Sequence, residues 1–277
     1  MDERISASWA TVGHMFAKQV LAKQLVLASI PHAYIFFGPE GVGKKTLALE
    51  LAEKLGTSRQ AVLEFSFKDS NTEDLRNFLS TLSFRPSAGA RQVAVLDSCE
   101  LMHIASSNTL LKVLEEPTQS TTIILISTKR NLPSTILSRA QMLSFGYLSQ
   151  EELTSVVRGK GLVYTEDTLK FAFGRASEFI KLITNKDELD RRKQWQRDLG
   201  ELTSGSMFTR LAVIQEWAKQ ETSDIEQRLG FWITQEMMAV GTGKLALKLG
   251  VFMEAFRRLS SNGNKRMVLE YLCLNLG

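Results

Sequence analysis

Glycine and lysine residues between positions 38 and 45 are the part of this chain best suited to chemistry. Gly38, Gly43 and Lys44 fit the phosphate-binding pattern G-x-x-x-x-G-K, and Gly41 lies inside the same loop. Glycines let backbone N–H groups curl around a phosphate, a following helix N-terminus adds a positive field, and the lysine reaches the outer phosphates. The segment therefore predicts a nucleotide-binding P-loop.

The position after the P-loop lysine normally carries the hydroxyl that holds magnesium. Here that position is Lys45, and the next hydroxyl, on Thr46, lies about 100° further round the predicted helix. An ammonium group cannot ligate a cation. We therefore expect Lys45 and Thr46 to border a site that binds ATP weakly and magnesium poorly. Whether the site hydrolyses ATP stays open.

The elements around the loop predict how it is positioned. An apolar run, Tyr34–Phe37, precedes it, and helical spacing follows it. Two further apolar runs, Gln92–Leu96 and Thr122–Ile126, are typical of central strands buried on both faces of a parallel sheet. Helical spacing over Thr72–Leu82 and Ser106–Leu114 separates these runs. Strands that alternate with helices predict a doubly wound α/β domain.

An acidic residue, Asp97, ends the Gln92–Leu96 run, where P-loop ATPases hold magnesium through water. The next position would carry a glutamate that orients the attacking water. Here it is Ser98, which is a poor base and carries no charge. Glu100 lies three residues past Asp97, and we expect its side chain to point elsewhere.

Composition excludes several classes of protein. The chain has 277 residues, 44% of them hydrophobic, which is enough for two or three domains. Its net charge of +4 permits contact with nucleic acid without arguing for it. Two cysteines, Cys99 and Cys273, are too few for a disulfide framework or a four-cysteine zinc site, so no metal centre is predicted. Without a long apolar run or a secretory signal, the chain is expected in the cytoplasm and not in a membrane.

The pattern changes after Phe145. Residues 146–185 show short helical segments, and residues 186–277 are helical throughout. Apolar stripes recur every three or four residues, which predicts helices packed on one another. One such stripe, whose members we expect in a core, consists of Phe208, Leu211, Ile214 and Trp217.

Four segments in this order, HAYIFFGPEGVGKKTLA, VLDSCELM, NTLLKVLEEP and LPSTILSRAQ, resemble the bacterial clamp-loader AAA+ ATPases, and most nearly their delta-prime type. The resemblance covers residues 6–145 well and extends weakly to about 185. It implies three domains, which are a RecA-like AAA+ P-loop domain at 1–145, a small helical lid at 146–185 and a helical collar for oligomerisation at 186–277.

The resemblance also implies site residues. In that family a serine–arginine–cysteine motif sends its arginine into the ATP site of a neighbouring subunit. Ser138 and Arg139 match it, and Ala140 replaces the cysteine. A polar residue after the fourth strand senses the γ-phosphate, and either Ser127 or Thr128 could match, with Thr128 retained as the candidate. A second sensor arginine in the lid would be Arg175.

As a function, the resemblance implies a stator in a pentameric clamp loader of DNA polymerase III. Its implied partners are gamma/tau and delta-like subunits, the sliding clamp and primer-template DNA. Two alternatives stay open. The chain could be the ATP-hydrolysing gamma/tau-like motor of the same machine, although Lys45 and Ser98 disfavour this. It could instead be a DNA-binding AAA+ protein such as a helicase-loading or recombination factor, although NTLLKVLEEP and the Ser-Arg pair disfavour that.

Overall fold

The computed structural model describes residues 9–58, 61–82, 91–117, 120–158, 160–241 and 248–276. The chain divides into two compact units, Met1–Leu162 with Gly174–Phe179, and Val163–Phe173 with Ile180–Gly277. Residues 146–162 and 174–179 of the expected lid thus belong to the first unit, and residues 163–173 and 180–185 belong to the second. The three-domain division stays a prediction.

The first unit is built on a sheet of five strands in the order β2-β3-β4-β1-β5. All neighbouring strands are parallel, which confirms the predicted α/β class. The strands are β1 (Ala33–Phe37), β2 (Leu63–Ser66), β3 (Gln92–Asp97), β4 (Thr121–Ser127) and β5 (Gln141–Ser144). The helices assigned to this unit are α1 (Met15–Val26), α2 (Lys44–Lys54), α3 (Thr72–Thr81), α4 (Ile104–Glu115), α5 (Ser134–Leu137) and α6 (Gln150–Val157).

Both faces of the sheet are buried, as the continuous apolar runs predicted. Successive side chains of a strand point to opposite faces. Tyr34 and Phe36 of β1 therefore join one core cluster, which includes buried residues of α1 and α2. Ile35 of β1 joins the other cluster, which includes buried residues of α3 and α4.

Strand β5 is absent from the sequence-based assignment. Its four residues, QMLS, are half polar and carry no strand periodicity of their own. It pairs with the edge of β1, with Phe36 opposite Leu143. The pairing supplies the backbone hydrogen bonds that the local sequence does not indicate.

The second unit is helical. Its helices are α7 (Glu166–Ala172), α9 (Lys186–Ser204), α10 (Met207–Ala218), α11 (Thr222–Gly241), α12 (Leu249–Ser260) and α13 (Lys265–Asn275), while α8 (Ala176–Thr184) contains the boundary between the units. Trp217, Trp232 and Phe252 stack at its centre, with ring centroids 5.4 and 5.3 Å apart. This confirms the predicted helical packing.

One predicted core stripe is only half correct. Ile214 and Trp217 are buried, but Phe208 is 83% exposed and Leu211 is 41% exposed. Helical spacing places the four residues on one side of α10, but the packed surface covers only its C-terminal half. In the described part of the chain, no helix has the length and apolarity needed to cross a bilayer.

Candidate functional site

The loop between β1 and α2 has the backbone geometry of a phosphate cradle. Gly38 has φ +153°, and a Cβ there would lie 2.2 Å from the carbonyl oxygen of Phe145. Gly41 has φ +78°, and a Cβ there would lie 2.1 Å from Oγ of Ser177. Gly43 has φ +109° and precedes the first turn of α2. Only glycine fits these positions without strain, so the loop can approach a ligand through its backbone.

The side chain of Lys44 folds back over this loop. Its Nζ donates hydrogen bonds to the carbonyl oxygens of Gly38 and Pro39, both at 2.6 Å, and the residue is 5% exposed. Burial lowers the pKa of Lys44, while the charges of Glu100, Asp97 and Glu40 oppose that shift. The ammonium group is therefore held over the glycine loop, where the charges of three carboxylates act on it.

The residue at the magnesium position has a different partner. Lys45 Nζ lies 2.5 Å from Oε2 of Glu64 on β2. Thr46 is exposed. The magnesium position thus carries an ammonium group where the P-loop pattern places a hydroxyl. The residues present fit phosphate but do not fit a hydroxyl-ligated magnesium ion.

A segment before α1, which the sequence analysis did not assign to the site, is bound to the P-loop. His14 donates from Nε2 to the carbonyl oxygen of Val42 at 2.8 Å. Burial lowers the pKa of His14, so the ring is favoured in its neutral form. Glu50 on α2 accepts hydrogen bonds from the backbone and hydroxyl of Thr11, at 2.9 and 2.7 Å. No motif in the sequence indicates these contacts, because they join residues 28 to 39 positions apart.

Asp97 stands at the carboxyl end of β3, as predicted, and its Oδ1 accepts the N–H of Ser98 at 2.7 Å. The orientation of the Glu100 side chain is set by the backbone of the residues before it. Ser98 has a left-handed backbone, φ 58°, and a 3-10 turn follows it over Cys99–Leu101. This turn brings the Glu100 carboxylate onto Thr128, at the end of the neighbouring strand.

Thr128 is the candidate sensor, and both of its donors bind Glu100. Its N–H donates to Oε2 at 3.0 Å, and its hydroxyl donates to Oε1 at 2.6 Å. Ser127, the alternative, is 1% exposed and donates to the carbonyl oxygen of Lys129 at 2.8 Å. Ser127 lies beside the P-loop, because its carbonyl oxygen accepts the N–H of Gly38 at 3.1 Å.

Arg175 approaches the loop from the start of α8. Its Cβ lies 3.6 Å from the position of a Cβ on Gly41, and the Ser177 N–H donates to the Gly41 carbonyl oxygen at 3.0 Å. The Nε of Arg175 is buried and has no acceptor among the residues that the structure describes. An orphaned buried donor beside a glycine loop fits an anionic ligand.

Arg139 lies in the turn that follows α5. Its guanidinium donates to the carbonyl oxygen of Thr135 at 3.0 Å and lies 2.9 Å from Oε1 of Glu115. Its side chain is 36% exposed and that of Glu115 is 50% exposed. The guanidinium is thus held on the surface of the first unit by contacts that water can replace.

Sequence comparison shows similarity to subunits of DNA polymerase III. Residues 58–149 match the family model described as DNA polymerase III, delta subunit. The chain is 29% identical over 169 residues to DNA polymerase III subunit gamma of Buchnera aphidicola, covering 53% of this chain and 46% of that protein. It is 30% identical over 165 residues to subunit tau of Escherichia coli, covering 51% of this chain and 26% of that protein. The chain therefore spans less than half of the length of each of these two relatives.

Solved structures share the fold. A DNA polymerase III gamma subunit-related protein of Thermotoga maritima aligns with TM-score 0.57 and 16% identity, covering 92% of this chain and 98% of that one. A Thermotoga maritima RuvB variant aligns with TM-score 0.53 and 18% identity, covering 86% and 85%. These likenesses show the fold alone, a parallel α/β sheet domain followed by helices. Residues 58–149 are therefore similar to the DNA polymerase III delta-subunit family, and about half of the chain is similar to the gamma and tau subunits of DNA polymerase III.

Proposed function

We propose that this chain is a delta-prime-like subunit of the DNA polymerase III clamp loader and acts as its stator. It would help to open the sliding clamp and load it on primer-template DNA in the cytoplasm, in complex with gamma/tau and delta-like subunits. Its chemical contribution would be Arg139, donated to the ATP site of the adjacent motor subunit. ATP bound there supplies the γ-phosphoryl group, and a guanidinium stabilises the charge that develops on it.

The observation that carries this proposal is the contrast between two positions. Arg139 is exposed and is tethered by a surface ion pair, so it can be transferred to a partner. The chain's own site has the Lys45 ammonium bound to Glu64 and has Ser98 next to Asp97. It can hold phosphate through Lys44 and the glycine loop, but it lacks the groups that position magnesium and water.

The test is ATP turnover by an assembly reconstituted with gamma/tau and delta-like subunits. Arg139→Ala should lower turnover at the neighbouring site by about a hundredfold or more. Arg76→Ala, which removes an exposed guanidinium from α3, is the matched control and should leave turnover unchanged. Unchanged turnover with Arg139→Ala in an intact assembly would reject the proposal.

A second candidate is the gamma/tau-like motor. It is favoured by the homology to gamma and tau subunits and by the positions of Lys44 and Asp97, which match those of an ATPase. This candidate requires the isolated chain to hydrolyse ATP. Robust magnesium-dependent turnover that Lys44→Ala abolishes would support it. A chain without turnover would leave the stator as the assignment.

A further inference from the structure

We propose that Glu100 determines nucleotide selectivity at the P-loop, because its carboxylate acts as a built-in anion beside the outer-phosphate position. The chain's own site would then prefer a nucleoside diphosphate to a triphosphate. This inference rests on the proposed phosphate binding by Lys44, but it concerns a residue that neither the P-loop pattern nor the family resemblance assigns. It is independent of the role of Arg139.

Glu100 lies at the carboxyl edge of the sheet, in the turn after β3. The carboxyl ends of β3, β4 and β1 lie side by side, and ligands of parallel α/β sheets bind at this edge. Glu100 comes from the turn after β3, and its acceptor atoms reach Thr128 after β4. The next strand, β1, leads directly into Gly38. Thr128 follows Ser127, whose carbonyl oxygen binds the Gly38 N–H at 3.1 Å.

Both hydrogen-bond donors of Thr128 are already occupied. A threonine presents one hydroxyl proton and one backbone N–H. At Thr128 both are used by the two oxygens of Glu100, at 2.6 and 3.0 Å. A phosphate oxygen could accept hydrogen bonds from the Thr128 hydroxyl and N–H only by displacing the carboxylate that already binds both donors. A second anion so close to an ionised carboxylate is also repelled.

The charge on Glu100 also acts on Lys44. Burial raises the pKa of this carboxyl group, but hydrogen bonds from the hydroxyl and N–H of Thr128 bring it below the ordinary value. The group is therefore ionised at neutral pH. Among the acids that act on Lys44, Glu100 has the strongest effect, ahead of Asp97 and Glu40. Its negative charge thus partly neutralises the lysine that would attract an outer phosphate.

The turn that holds Glu100 is fixed by several contacts. The left-handed Ser98 is 5% exposed, and its carbonyl oxygen accepts the Leu101 N–H at 3.0 Å. Asn131 donates from Nδ2 to the carbonyl oxygen of Glu100 at 3.3 Å. The carboxylate is therefore held in position before any ligand arrives, which is what a selectivity group requires.

The test is calorimetric titration of the full chain with ADP and with ATP, each with magnesium. The unmodified chain should bind ADP at least as tightly as ATP. Glu100→Gln should tighten ATP binding by about tenfold and change ADP binding by less than about threefold. Glu53→Gln, which removes an exposed carboxylate near the C-terminal end of α2, should change neither the ADP affinity nor the ATP affinity.

A double variant tests whether the Thr128 donors are released. In the Glu100→Gln background, Thr128→Val should lose part of the gain in ATP affinity, because it removes the hydroxyl donor that the first substitution releases. The proposal is overturned if Glu100→Gln changes the affinity for neither nucleotide, or changes the affinity for both by the same factor. It is also overturned if the unmodified chain binds ATP more tightly than ADP, or if it binds neither nucleotide, and neither result requires a variant to fold. None of these results changes the Arg139 test, so the two proposals can fail separately.

Discussion

Arg139 and Glu115 form an ion pair, with 2.9 Å between the guanidinium Nη2 and Oε1, between the turn after α5 and the C-terminal end of α4. The two residues belong to the two segments, LPSTILSRAQ and NTLLKVLEEP, that carry much of the resemblance to clamp loaders. Within this chain, Glu115 is the anion that binds Arg139, the arginine proposed to enter the neighbouring ATP site (the arginine finger). A γ-phosphate of a neighbouring subunit would have to replace it.

Removal of the Glu115 charge should therefore matter little to folding. Because both side chains are exposed, Glu115→Gln should change the free energy of unfolding by less than about 1 kcal/mol, as measured by urea denaturation. In the reconstituted assembly it should not lower turnover, since Arg139 remains available. A loss of more than about 2 kcal/mol would mean that the pair supports the fold, and a fall in turnover would mean that Glu115 aligns the finger.

The second prediction concerns the magnesium position. Lys45→Thr places a hydroxyl where the P-loop pattern requires one, and it should raise magnesium-dependent ATP affinity by about tenfold. Hydrolysis should stay low, because Ser98 carries no carboxylate. Glu64→Gln, which removes the partner of Lys45 without adding a hydroxyl, is the control and should not raise the magnesium-dependent ATP affinity. An affinity that does not depend on magnesium in the Lys45→Thr variant would contradict the argument.

The third prediction separates two causes of glycine dependence. Gly38 has a positive φ, and a Cβ added there would lie 2.2 Å from a backbone oxygen. Gly38→Ala should therefore destabilise the first unit by about 3 kcal/mol. Gly56→Ala also has a positive φ, +84°, but nothing lies within 4 Å of the new Cβ. It should cost about 1 kcal/mol. Equal losses for the two variants in thermal denaturation would show that the Phe145 contact is unimportant.

The fourth prediction concerns a buried ion pair in the second unit. Arg228 is 5% exposed, lies 3.4 Å from Oδ2 of Asp198, and stacks over Trp217 at 4.1 Å. Asp198→Asn leaves this guanidinium buried without its counter-charge and should destabilise the unit by about 3 kcal/mol. The control is Glu270→Gln, which removes half of an exposed pair with Arg266 and should have little effect on the melting temperature.

The fifth prediction is a pH dependence. Burial raises the pKa of Glu188, but hydrogen bonds and charges from Arg192 and Arg191 bring it below 4.5. Because this pKa is lower in the folded chain than in the unfolded one, the carboxylate contributes stability that is present above 4.5 and is lost as pH falls through the folded value.

The measurement is the difference in unfolding free energy between the unmodified chain and Glu188→Gln. It should be constant from about pH 7 to about pH 5.5 and should shrink below about pH 4.5, because only the unmodified chain titrates there. A difference that stays constant down to about pH 3.5 would contradict the assignment.

The sequence by itself determined the parallel α/β unit, the P-loop, the helical C-terminal part and the missing magnesium hydroxyl. These follow from local patterns, since strand and helix periodicity and the glycine–lysine spacing are each set within a few neighbouring residues. Strand β5 was missed because its pairing with β1, and not its own composition, defines it.

Only the tertiary structure decided which charged groups meet at the site. Lys45 pairs with Glu64 across α2 and β2, and Glu100 binds Thr128 across β3 and β4. The direction of Glu100 depends on the left-handed backbone of Ser98, a conformation that a serine rarely adopts and that no spacing rule predicts. Contacts between residues distant in sequence depend on strand register and turn geometry, and these are fixed only when the whole sheet is assembled.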